Sequence, residues 1–98
     1  MAYTLSIRKE AEADIAEAYQ YYESCRERLG EDFLSCIDEA ISRIEHNPKQ
    51  FRTVLDDVRR ALVRRFLYGI YYTINENEII VLAVVHARRN PKLWKSRS

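Results

Sequence analysis

Two hydrophobic periods divide the chain. Tyr3, Leu5 and Ile7 alternate with Thr4 and Ser6, the period of a short half-buried strand. From about Lys9 the spacing lengthens. Ala11, Ile15, Ala18, Tyr22, Cys25 and Leu29 recur every three or four residues. They draw one narrow stripe along a helix whose other positions are Glu, Asp, Gln and Arg. Glu10, Glu12 and Asp14 in its first turns, and Arg26 and Arg28 in its last, suit the helix dipole. Gly30 is the expected stop. Glu31 and Asp32 then open a second helix, whose stripe is Leu34, Ile37, Ile41 and Ile44, flanked by Phe33 and Ala40. Asn47-Pro48 ends it. Two amphipathic helices joined at one glycine predict an antiparallel αα-hairpin.

Beyond Pro48 the period returns to two. Residues 49–57 read as a loop, and strands follow at about 59–66, 69–75 and 78–86. Asn75-Glu76-Asn77 is the turn between the last two. Ile79 to Val85 is apolar at both parities, so both faces of that strand should be buried in the middle of a sheet. The predicted order is β-αα-βββ: an α+β fold, a mostly antiparallel sheet with the αα-hairpin packed on one face. Arg60, Arg64, Tyr71, Thr73 and His86 are set among strand positions. Alternation lets several of them share a shallow surface facing away from the helices.

Ninety-eight residues make one domain, 1–98, with no room for a second core. The first eight residues lack an apolar h-region and no apolar run reaches membrane-spanning length, so the expectation is a cytoplasmic protein with no membrane contact. Cys25 and Cys36 lack metal or CxxC spacing and lie in helical patterns. They are expected as small buried thiols, with no metal and no cofactor.

Charge changes the picture more. Val58 to Ser98 holds nine Lys or Arg against two acids, Glu76 and Glu78. Residues 1–57 hold seven basic and thirteen acidic residues. The near-zero net charge conceals this split. The basic half ends in His86-Ala-Arg88-Arg89-Asn-Pro91-Lys92-Leu-Trp94-Lys95, a cluster suited to a polyanion or an acidic protein surface. Trp94 either packs back on the domain or meets a partner. Tyr19 and Tyr21, beside the helix-1 stripe, are a patch where a protein partner or a second copy can dock, which makes a homodimer one of the expected assemblies.

In element order and residues the chain resembles the RelE/ParE superfamily of bacterial toxin–antitoxin toxins, often labelled plasmid-stabilisation proteins. The resemblance lies in Ala11-Glu-Ala-Asp14-Ile15, Tyr19-Gln-Tyr21-Tyr22, Leu29-Gly30-Glu-Asp-Phe33 and Asn47-Pro48. It continues in Val58-Arg59-Arg60 through Arg65-Phe66-Leu-Tyr68, in Ile70-Tyr-Tyr72, and in Val84-Val-His86-Ala-Arg88-Arg89-Asn-Pro91 with Trp94. It implies a toxin of a type II module, neutralised by a cognate antitoxin, with one of two targets. ParE-like members inhibit DNA gyrase. RelE-like members cleave mRNA on the ribosome.

Metal-free RNA cleavage needs cations to stabilise the phosphorane and an acid to protonate the leaving oxygen. In the RelE-like pattern Arg60 falls on one strand lysine and Arg89 on the arginine after the last strand. The second lysine falls at Leu62, a further arginine at Gly69, and the C-terminal tyrosine near Trp94 or Lys95. His86 is the remaining candidate acid. The candidate catalytic set is therefore Arg60, Arg89 and His86. Arg64, Arg88, Arg89, Lys92, Trp94 and Lys95 are the candidate target contacts. The pattern of His86 followed by Arg88 and Arg89 is more similar to the ParE-like branch. The expectation is a gyrase-directed toxin. A ribosome-dependent ribonuclease and a degenerate, non-toxic antitoxin-binding module are the alternatives.

Overall fold

The structure, a computed structural model, describes residues 2–87. The tail positions singled out above, from Arg88 onward, lie outside the described residues. The elements run β1 (Thr4–Ile7), α1 (Lys9–Cys25), α2 (Leu29–His46), a 3-10 turn at Pro48–Gln50, then β2 (Thr53–Leu55), β3 (Val58–Leu62), β4 (Tyr68–Asn75) and β5 (Glu78–His86). The sheet order is β1-β5-β4-β3-β2. Only the β1–β5 pair is parallel. The α+β architecture, with an αα-hairpin on a mostly antiparallel sheet, is the one the periodicity predicts.

The core lies between the hairpin and one sheet face. Phe33, Ile37, Ala40 and Ile44 of α2 and Ala11 and Ala18 of α1 are buried against Ala61, Val63, Ile70, Tyr72, Ile79, Val81 and Val84. The buried stripe of α2 is thus centred on Phe33 and Ala40. Leu34 and Ile41, placed on the stripe by spacing, are only half-buried at its border. β5 is interior, between β1 and β4, with side chains packed on both faces. Its register against β4 shifts at Tyr71/Tyr72, which makes Leu82 an extra residue and exchanges the faces of the residues that follow.

Four expectations are corrected. Helix α1 ends at Cys25, four residues before Leu29, and Gly30 is not its cap. The chain turns through Arg28, at φ 70°, and Gly30 lies in the first turn of α2. A Cβ on Gly30 would stand 2.8 Å from the Tyr19 ring and from the Tyr19 carbonyl oxygen, so the glycine serves close helix approach. Glu23 accepts from the N–H groups of Arg28 (3.1 Å) and Gly30 (3.0 Å), so α1 supplies the anionic cap of α2. Second, Cys25 is exposed and Cys36 half-buried, because the helix that would have buried Cys25 has already stopped. Third, residues 49–57 are not a loop: Thr53–Leu55 pairs with β3 across a turn at Asp56, φ 50°. Fourth, β3 stops at Leu62, since Arg65 and Leu67 adopt positive φ (75° and 55°) that no strand continues through. No helix among the described residues is long and apolar enough to cross a membrane.

Candidate functional site

Strand alternation sorts the candidate residues onto opposite faces. On β3, Val58 and Arg60 point away from the helices, while Arg59 and Ala61 point toward them. Arg60 is half-buried. Its aliphatic stem lies over Gly69, where a Cβ would come 3.1 Å from Arg60 Cγ and Cδ and 3.0 Å from Tyr71 Cε1. Gly69 is therefore a packing position, filled from above by its neighbours. An arginine there would displace both.

His86 ends β5 on the helix side. Its ring meets Tyr68 edge-on at 5.7 Å between centroids. Arg60 pairs through Tyr71 with Ala83, three residues before His86. Arg60 and His86 thus differ in strand, in position along the sheet and in face. The structure does not bring them together, and Arg89 lies outside the described residues. The expectation that Arg60 and His86 share one shallow surface is corrected by the register shift at Leu82, which reverses the parity of His86. Arg64 is also elsewhere, in the β3–β4 turn, 3.6 Å from Glu39 of α2. Arg88, Lys92, Trp94 and Lys95 lie outside the described residues.

The basic half is thus partly neutralised by the acidic one. Arg65 pairs with Asp32 at 3.7 Å, and Arg64 with Glu39 at 3.6 Å. These pairs are largely exposed, and each contributes little stability. Arg59 donates from Nη1 to the carbonyls of Phe51 (2.6 Å) and Lys49 (3.2 Å). Beside it the Tyr72 hydroxyl donates to the Pro48 carbonyl at 2.6 Å. Together these bonds pin the 3-10 turn to the sheet. Among the described residues from Val58 onward, Arg64 and Arg65 are ion-paired with acids of α2, whereas Arg59 is held by backbone carbonyls.

Burial pushes the Tyr72 phenol up to about 12, against a small opposing pull from Arg59. Its folded value lies above its unfolded value near 10, so the stability it confers is complete below about pH 10 and is lost as pH rises toward 12. Alkaline unfolding of the native protein should steepen across that window. Tyr72→Phe should lose about 1–3 kcal/mol at neutral pH, from the unsatisfied Pro48 carbonyl, and lack the Tyr72 share of the alkaline slope. Urea titrations at pH 7, 10 and 11 compare the two.

A cleft of about 610 Å³, unforeseen in the sequence, opens between α1 and the C-terminal half of β5. Asp14, Glu17, Tyr21, Tyr22, Tyr68 and His86 line it. Asp14 is held there by the Val84 N–H, which donates to its Oδ2 at 3.1 Å, beyond the point where β1 stops pairing with β5. Burial, and then Tyr68, raise the Tyr22 phenol above its ordinary value. Tyr21 is 62% exposed at the rim, whereas Tyr19 packs on Gly30. The two tyrosines do not form one patch. The signal available was the helical spacing of Asp14, Glu17 and Tyr21. The missing piece was the face of Tyr68 and His86.

A family model described as the ParE toxin of the type II toxin–antitoxin system, parDE, matches residues 5–91. Toxin ParE2 of Mycobacterium tuberculosis is 27% identical over 92 residues, covering 93% of this chain and 88% of that protein. Among solved structures, a chain of the chromosomal ParDE system of P. aeruginosa superposes with a TM-score of 0.77 at 17% identity, covering 87% of this chain and 96% of that one. A chain of the M. tuberculosis RelBE2 toxin–antitoxin complex gives 0.62 at 17%, covering 88% and 99%. A free-state mutant of E. coli toxin RelE gives 0.54 at 15%, covering 90% and 86%.

Proposed function

The chain belongs to the ParE toxin family of type II toxin–antitoxin systems, and from that premise we propose that it arrests growth by binding DNA gyrase rather than by cutting RNA. The observation that carries this reading is the packing at Gly69. A transition-state arginine is absent there, and a Cβ at Gly69 would already stand 3.0–3.1 Å from the Tyr71 and Arg60 side chains, so both would have to move aside for one. Loss of one such donor commonly costs a few kcal/mol of transition-state stabilisation. His86, the remaining acid candidate, stands on the opposite face from Arg60. A binding toxin needs neither group poised over a phosphate. It needs a charged surface complementary to its target. Arg88, Arg89, Lys92, Trp94 and Lys95 are the proposed contacts, with Arg64 as an outlying one.

The proposed neutralising partner is a cognate antitoxin that folds on contact. Exposed Tyr21, at the rim of the α1–β5 cleft, is its proposed aromatic anchor. Coexpression with the neighbouring reading frame should give a stable complex, and Tyr21→Ala should weaken it.

The deciding experiment runs two assays on the purified toxin. It should inhibit gyrase supercoiling, with relief by antitoxin, and should leave mRNA on programmed ribosomes intact. A-site cleavage that falls about a hundredfold with Arg89→Ala, the loss expected for one donor, would replace this reading with the ribonuclease one. Inactivity in both assays, with no growth defect, would leave a non-toxic antitoxin-binding module.

A further inference from the structure

The turn between β3 and β4 is strained and apolar at once. Leu67 holds a φ of 55° and Arg65 one of 75°. Side chains resist this left-handed region, and glycine or asparagine fills it with least strain. The other positive-φ residues among the described ones are Arg28, Asp56 and Glu76, all polar. Leu67 is the apolar member of that set, and it is 59% exposed. Leu62, the last residue of β3, is 50% exposed. By strand parity Leu62 shares the outward face of Val58, and it pairs with Gly69, which has no side chain to cover it. The turn is nonetheless firmly held. Val63 and Phe66 are buried in the core between the helices and the sheet. The Val63 N–H donates to the Tyr68 carbonyl and the Ala87 N–H to the Leu67 carbonyl, both at 2.8 Å. Two leucines are therefore held in water on a fixed projection, where polar residues would meet both backbone and solvent with less strain.

We propose that this turn is a contact surface for a protein partner, with Leu62 and Leu67 entering an apolar notch and Arg64 and Arg65 meeting carboxylates at its edge. Charge selects the partner. Residues 58–67 hold four arginines and no acid. Arg64 and Arg65 meet Glu39 and Asp32 through exposed contacts of 3.6 and 3.7 Å. Water and salt weaken such pairs, and a partner's acids can replace them. The leucines select a protein over a nucleic acid. They offer no ring for a base to stack on and no charge for a phosphate, whereas apolar side chains flanked by arginine are the composition of a protein interface. The strain is already present in the free chain. A turn fixed in its binding shape loses little freedom on contact. This inference rests on the reading that the chain acts by binding its target, and it extends the contact at Arg64 to the whole turn.

Purified DNA gyrase is the binding probe, with growth arrest on induction as a second readout. Leu67→Asn removes the apolar side chain and relaxes the backbone. It should melt at or above the wild-type temperature, bind gyrase about tenfold more weakly, as for loss of an interface anchor, and no longer arrest growth. Leu67→Met should bind like wild type. Leu62→Thr keeps a strand-forming residue and should show the same loss of binding, so it decides if Leu67→Asn does not fold. Folded Leu67→Asn and Leu62→Thr variants that bind and arrest like wild type would overturn the proposal and leave the gyrase reading standing. A wild-type chain that arrests growth without binding gyrase, with arrest lost in both variants, would support the turn and remove gyrase as the target. Binding lost only in step with melting temperature would make the leucines structural and overturn the proposal. Tight, steeply salt-dependent binding of an RNA oligonucleotide, unchanged by both substitutions, would assign the arginines to phosphate and overturn it as well. A wild-type chain with neither binding nor arrest would overturn both readings.

Discussion

Phe33→Ala is expected to lower the unfolding free energy by about 3–5 kcal/mol, the range for truncating a buried aromatic. Phe33 is fully buried, and its ring sits 5.1 Å from Tyr68 and 5.3 Å from both Tyr22 and Phe66. Those neighbours come from α1, from the β3–β4 turn and from β4. One ring therefore joins the helical hairpin to the sheet at the end where the hairpin closes. Its removal opens a void that three fixed rings cannot fill, and it also removes the edge-to-face contacts with Phe66 and Tyr68. Against a typical domain stability of about 5–15 kcal/mol the loss is large. Urea denaturation should show a lower midpoint with an unchanged slope. Phe33→Leu, which keeps most of the volume, should cost clearly less. A loss below about 1.5 kcal/mol for the alanine variant would mean that the cluster collapses freely and is not a rigid joint.

Gly30→Val should cost about 3 kcal/mol, with Gly30→Ala in between. In an ordinary helix alanine for glycine would gain about 1 kcal/mol. Here the added carbon would lie 2.8 Å from Tyr19 Cδ1, Cε1 and O. The ring can turn aside, but the carbonyl belongs to the α1 backbone, so α1 and α2 must separate. Overpacking of this kind costs about 1–3 kcal/mol, and valine adds branching against the same wall. Gly30 has no positive φ, so the effect reads proximity and not backbone strain. Thermal unfolding measures it. An alanine variant more stable than the native protein would show that the helices do not touch there.

Element type and order were legible because each rests on a local period. The doubly apolar run from Ile79 to Val85 does mark an interior strand, and Asn75-Glu76-Asn77 does turn, with Glu76 at φ 57°. What escaped depends on distant partners. Thr53–Leu55 was hidden because a three-residue edge strand, followed by Asp56 and Asp57, looks like a polar loop until β3 lies beside it. Gly30 has the local appearance of a helix stop, and only Tyr19, eleven residues earlier, shows its other use. The charge split was legible as a count. Its meaning was not, since the partners of Arg64 and Arg65 are acids on a helix more than twenty residues away. The candidate site suffered most. One extra residue at Leu82 moved His86 to the other face, and no single-strand pattern reports a bulge.

The parallel pairing of β1 with β5 sets a timetable. Thr4 meets Glu78, seventy-four residues later. At about 5–20 residues per second, a translating ribosome needs roughly 4–15 s to make that stretch. For all of that time the first strand has no neighbour, and the hairpin that follows it holds its apolar stripe open. Closing so long a loop is also the slow kind of contact to form. The sheet of a newly made molecule is therefore incomplete until β5 has been added, and its N-terminal strand must wait for that strand to find its place.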